Sequence, residues 1–288
     1  MRRLSFAARL SVLAACLAVG TFWGISQAAA QDPALRIGMI PDAGATQVSV
    51  DEKAPLGDYL ATALHRPVKL IIPTNYNATV EGLGNGSLDF AYLGGLTYIK
   101  AHARYGVVPL VQRASDQQFH ALFITGASEP IHTLADIKGK SFAFGDINST
   151  SGHLMPYAAL EGARLVAGTD FSFRYTGSHP ATAKAVEAGT VDAGAVDESV
   201  YQAMLSEGQL DKTKVRVFYT TPAFVDYVWV ARSDIDPKAQ EQFAQAFLAL
   251  DPAREAKVLQ ILRGSKFVRA SDGEYAELRK VAQALKLF

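Results

Sequence analysis

Short apolar runs along this chain are separated by longer stretches whose apolar residues recur every three or four positions. This alternation of strands and helices predicts an α/β protein with mainly parallel sheets. Strands are expected over 35–40, 68–72, 89–93 and 107–112, with helices over 49–65, 77–86 and 97–105 between them. A second set follows, with strands over 141–144, 172–175, 191–196 and 215–219 and helices over 150–165, 180–188 and 198–207. The β-rich stretches 120–124 and 228–231 read as chain crossings between lobes. Helices over 237–248, 252–262 and 272–285 close the chain, each beside an Asp or Pro suited to a helix N-terminus.

A second lobe entered once and left once is the arrangement of a hinged clamshell. The expected boundaries are a first lobe over 31–122, a second over 123–224 and a return to the first over 225–288. Open α/β sheets bind ligands at the carboxyl ends of their strands, so the cleft between two such lobes is the expected site. A single doubly wound domain with decorations is the alternative.

The N-terminus adds a destination. Arg2, Arg3 and Arg9 precede or enter an apolar stretch that ends in Ala28-Ala29-Ala30, the three-part pattern of a secretory signal peptide over residues 1–30. The run is broken by Gly20, Thr21 and Gly24 and is shorter than the ~20 residues of a spanning helix. Cleavage after Ala30 and release into the periplasm are expected. Leu13-Ala14-Ala15-Cys16 resembles a lipobox, but Leu17-Ala18-Val19 continues the apolar run where a polar tether would follow a lipidated cysteine.

Removing 1–30 takes three of 28 basic residues and no acidic ones, leaving 25 against 28, a net charge of −3. Nucleic acid as partner needs a basic patch and is disfavoured. Cys16 is the sole cysteine, so a chain cleaved after Ala30 has no disulfide, thiolate nucleophile or cysteine metal site. There is no Gly-x-Ser-x-Gly elbow and no His-Glu-x-x-His. No enzyme, cofactor or metal is therefore expected.

The most informative segment is Phe144-Gly145-Asp146-Ile147-Asn148-Ser149-Thr150-Ser151-Gly152-His153, which runs from a strand through a polar turn into a helix. A helix N-terminus presents unpaired N–H groups and the positive end of the dipole, a natural place for an anion. One hydroxyl suffices for an N-cap; Ser149, Thr150 and Ser151 supply three. Gly152 permits close approach to the backbone. His153 and His179 sit near strand-to-helix turns. Tyr76, after the second strand, and Tyr92, at the end of the third, are either cleft hydroxyls or packing aromatics.

These residues resemble the phosphate/phosphite/phosphonate substrate-binding proteins of ABC importers, over about residues 34–270. The resemblance rests on Asn148-Ser149-Thr150-Ser151-Gly152, the Tyr76 turn, Asp89-Phe90-Ala91-Tyr92, Thr176-Gly177-Ser178-His179, Val191-Asp192-Ala193-Gly194-Ala195 and the Asp226 region. It implies a type II periplasmic-binding-protein clamshell, a small phosphorus oxyanion as ligand, an inner-membrane ABC permease as partner, and a monomer. It also implies that Ser149, Thr150 and Ser151 hold the oxyanion, that Tyr76 and Tyr92 face them, and that His179 lies at the cleft edge. Asp226 and Asp197 stand where aminoalkylphosphonate binders place carboxylates against an ammonium. Ser199 replaces a glutamate of those binders and His153 a phenylalanine, which leaves the far end of the ligand open. An ionised Asp226 would favour a ligand with an O–H or N–H and reject sulfate. A sensory protein reporting the same ligand to a membrane receptor is the other reading.

Overall fold

The apolar blocks form strands in a computed structural model that describes residues 33–42 and 50–288, so the expected signal peptide and Cys16 lie outside the described residues. Strands β1 (Leu35–Met39), β2 (Val68–Ile71), β3 (Phe90–Leu93) and β4 (Val108–Arg113) alternate with α1 (Ala54–Leu64), α2 (Tyr76–Gly84) and α3 (Gly95–Tyr105). Next come β5 (Ala121–Gly126), β6 (Ser141–Phe144), α4 (Met155–Gly162), β7 (Ser172–Tyr175), α5 (His179–Glu187), β8 (Ala193–Asp197), α6 (Glu198–Ser206) and β9 (Val215–Thr220). The chain ends with β10 (Val228–Ala231), α7 (Pro237–Leu248), α8 (Ala256–Ile261), β11 (Phe267–Arg269) and α9 (Ala276–Ala284). Among the described residues no helix is long and apolar enough to cross a membrane.

Two sheets result, in the orders β11-β4-β10-β3-β1-β2 and β7-β6-β8-β5-β9. They are mixed rather than mainly parallel. β1 runs parallel to β2 and β3, and β6 to β7 and β8, but β10, β11 and β5 pair antiparallel with their neighbours. A strand buried on both faces reads as an apolar run in either direction, so its composition carries no sign of direction. The stretches read as crossings also move. Residues 121–124 lie in the second sheet and Val228–Ala231 is a central strand of the first. The chain passes between the sheets where Phe119 and Phe224 exchange two 2.9 Å backbone bonds.

Each sheet is covered by helices and has its own core. In the first lobe Phe90 on β3 stacks on Phe243 of α7 at 4.1 Å. In the second, Phe123, Phe142 and Phe144 are fully buried. Truncating one such ring costs about 3–5 kcal/mol.

The expected helix over 150–165 is two pieces. Residues Thr150–Leu154 form a π turn, in which Leu154 N–H reaches Ser149 O at 3.0 Å, and α4 begins at Met155. Pro156 explains the break: it has no N–H and its ring would meet the carbonyl of Gly152. That carbonyl instead accepts the Gly145 N–H at 2.9 Å, tying the turn to the end of β6.

Candidate functional site

The π turn is built to expose donors. Ser149 is its N-cap and accepts the Gly152 N–H at 3.0 Å, which spends one hydroxyl on the turn itself. Thr150 reaches to the other lobe, where its Oγ1 accepts the Leu96 N–H at 3.0 Å. Ser151 is buried, and its hydroxyl has no hydrogen-bond partner in the protein. A Cβ on Gly152 would lie 2.9 Å from both Ser149 Oγ and His179 Cε1, so the glycine's close approach is to its own neighbours.

Behind the turn lies a chain of bonds. His179, the first residue of α5, accepts the Asp197 N–H on Nδ1 at 3.1 Å. Burial lowers its pKa, so the neutral ring carries its proton on Nε2, 3.5 Å from Ser149 Oγ. Asp197 caps α6 through Val200 N–H at 2.8 Å and accepts Ser199 Oγ at 2.7 Å and Tyr227 Oη at 2.5 Å. Burial would raise Asp197, but Arg263, Arg113 and the Tyr227 hydroxyl hold it below the ordinary carboxylate range. Both carboxylate oxygens are engaged, so Asp197 is a strut between the lobes rather than a partner for an ammonium.

The first lobe supplies Tyr76 and Asp226. Tyr76 follows the N-cap Asn75, which holds Ala78 N–H at 2.9 Å and fixes the start of α2. Its buried hydroxyl has no protein partner; burial, reinforced by Asp42, Asp146, Asp197 and Asp226, drives its pKa well up. Asp226 Oδ1 accepts the Gly95 N–H at 2.9 Å, while Oδ2 is buried and unpartnered. Burial pushes the Asp226 carboxyl up to about 7, against the opposing bonds from Gly95 and Thr150. Tyr76 Oη, Ser151 Oγ and Asp226 Oδ2 thus share one property: each is a buried polar atom without a partner.

Two expected residues face elsewhere. Tyr92 stacks on Tyr227 at 5.0 Å and lines a small cavity with Met39, Asp42, Arg113 and Trp229, so it is grouped with the support behind Tyr227 and not with the serines. His153 is turned into the second lobe. Its Nδ1–H donates to Ile147 O at 2.8 Å, its Nε2 accepts Tyr175 Oη at 2.9 Å, and Phe144 and Tyr157 flank the ring. Burial lowers it to about 4. Sequence reasoning missed Tyr227 and the amides of Gly95 and Leu96. The amides carry no side-chain signal, and only the glycine pair Gly94-Gly95 at the end of β3 marks them. A Cβ on Gly94 would press to 3.2 Å from Thr150 Oγ1 and 3.4 Å from Asp226 Oδ1.

Helix starts at Tyr76 and Gly95 in the first lobe and at Ser149 and His179 in the second, with these donors, suit a small anion that also has a proton to share. Comparison with known proteins agrees. A family model described as "ABC transporter, phosphonate, periplasmic substrate-binding protein" matches residues 37–275. A probable ABC transporter phosphite-binding protein of Prochlorococcus marinus is 29% identical over 267 residues, covering 87% of this chain and 89% of its own. A phosphate-import protein of Mycolicibacterium smegmatis is 26% identical over 207 residues, covering 67% of this chain and 64% of its own. The crystal structure of the P. marinus protein with methylphosphonate superposes with a TM-score of 0.83 at 28% identity, covering 88% of this chain and 99% of that one.

Proposed function

Because the chain belongs to the family of periplasmic substrate-binding proteins of phosphonate ABC transporters, we propose that it captures a small phosphorus oxyanion without an amine, such as phosphite or methylphosphonate. The protein acts by binding and not by turnover, as the substrate-binding component of an importer. Its partner is the membrane permease of that importer. Export through the N-terminal signal, with cleavage after Ala30, delivers it as a monomer to the periplasm.

One observation carries the ligand class: the three buried, unpartnered atoms Tyr76 Oη, Ser151 Oγ and Asp226 Oδ2. An unsatisfied buried polar group costs about 1–3 kcal/mol, so a ligand that satisfies all three gains that much at each. Tyr76 and Ser151 donate to the oxyanion oxygens, and His179 Nε2–H stands beside Ser149. Asp226 exchanges one proton with the ligand. The saturation of Asp197 by Ser199, Val200 and Tyr227 supports a ligand without an ammonium.

Titration calorimetry of the mature protein with phosphite, methylphosphonate, phosphate, 2-aminoethylphosphonate and sulfate tests this. Phosphite or methylphosphonate should bind at least tenfold more tightly than 2-aminoethylphosphonate, a difference of about 1.4 kcal/mol. Tightest binding of the aminophosphonate would overturn the proposal.

A further inference from the structure

The first residue of the Asn148-Ser149-Thr150-Ser151-Gly152 motif makes none of the contacts described so far. Its side chain faces the opposite lobe, where Lys100 Nζ donates to Asn148 Oδ1 at 2.8 Å. The direction is unambiguous, since an ammonium has only donors to offer. Lys100 lies on α3 one turn beyond Leu96, whose N–H bonds Thr150. Residues four apart on a helix share a face. α3 therefore grips the turn at two points, Leu96 on Thr150 and Lys100 on Asn148. The first belongs to the anion site, while the second lies outside it.

The turn is prepared for this grip. Asn148 N–H bonds Asp146 Oδ1 at 2.7 Å and Ser149 N–H bonds Asp146 O at 2.9 Å, which fixes the loop that carries the carboxamide. Partial burial lowers the Lys100 pKa, with Arg104 adding to the effect and Asp146 opposing it. The charge thus has one carboxamide partner across the cleft and a carboxylate nearby.

We propose that Lys100 and Asn148 form the latch of the closed state, positioning residues that slow ligand release without touching the ligand. The inference rests on the reading of this cleft as the capture site. Opening the lobes must break this bond, whereas ligand entering an open cleft does not meet it. The latch therefore belongs to the release rate, where most affinity differences among related complexes reside.

The test compares wild type, Lys100→Met and Lys100→Arg in the mature protein. Stopped-flow kinetics with phosphite and with methylphosphonate should show release about tenfold faster in Lys100→Met, with association no slower than in wild type; an interaction worth 1.4 kcal/mol corresponds to tenfold. Lys100→Arg keeps a donor and should restore slow release. Slower, strongly salt-dependent association with unchanged release would show that Lys100 steers the anion by its charge, and would overturn the latch. Unchanged rates would overturn it too. A second measurement needs no ligand. Spin labels on Asp58→Cys and Lys212→Cys, exposed residues of the two lobes, should report a longer interlobe distance in Lys100→Met than in the wild-type background. An unchanged distribution sinks the latch. If wild type binds neither compound, the ligand reading fails, and the distance measurement alone decides the latch.

Discussion

Asp226 is the residue whose environment most changes the expectation from type alone. An acid at its ordinary value would be ionised in the periplasm and would repel a fully deprotonated sulfate. Buried, its carboxyl titrates near 7 and can carry a proton to donate. Sulfate exclusion should therefore depend on pH. Binding of sulfate that needs the protonated acid falls about tenfold for each pH unit above that value, since one unit corresponds to 1.36 kcal/mol. Calorimetry at pH 6 and pH 8 should show this slope in wild type and a flat profile in Asp226→Asn; a flat wild-type profile refutes it. Asp226 also marks what residue types can and cannot convey. Ser149 to Ser151, Tyr76 and His179 were readable as candidates because each lies at a turn that follows a strand, whereas Asp226 entered only through the resemblance. Asp197 sits at an equivalent turn, yet Ser199, Val200 and Tyr227 occupy it. Nothing in the letter D distinguishes a free carboxylate from a saturated one.

At the scale of elements, the edge of the second sheet holds the rim of the cleft through one histidine. Tyr175 on β7 bonds His153, and His153 bonds the Ile147 carbonyl in the loop that leads into the π turn. His153 is held down at about 4, from an ordinary 6.5. The unfolded chain takes up a proton over that window while the folded protein does not, so this contribution is full above 6.5 and is lost as pH falls toward 4. Asp226 acts with the opposite sign: its raised value stabilises the fold below the ordinary 3.8 and is lost as pH rises through about 7. The two slopes oppose each other in wild type. His153→Phe removes the first and leaves the second unopposed, so its melting temperature, relative to wild type, should fall as pH rises from 4 to 6.5. A pH profile parallel to wild type would show that His153 does not carry the effect. The elements themselves were readable from apolar spacing, apart from β11. That strand has three residues, too short to show a period. The expected helix over 150–165 ran straight through Pro156, and neither the break before α4 nor the π turn into which the chain relaxes was read from the sequence.

For the molecule as a whole, the comparisons with importer proteins favour delivery to a permease over sensing. The order in which the lobes can form follows from the connectivity. All the strands of the second sheet are contiguous in the chain, from Ala121 to Thr220. The first sheet is not: its central strand β10 pairs Val228 with Leu93 of β3, across the entire second lobe. Closing such a long loop before its contacts form is slow. Pulse-labelled hydrogen exchange during refolding should protect amides of β6 and β8 before those of β3 and β10, and the reverse order would refute this. Because the π turn is locked by Gly145, Gly152 and Ser149, all within the second lobe, that order would assemble the proposed anion grip before its counterpart exists. The first lobe would then condense around a finished surface, and substitutions at Tyr76 or Asp226 should retune selectivity without disturbing the step that builds the grip.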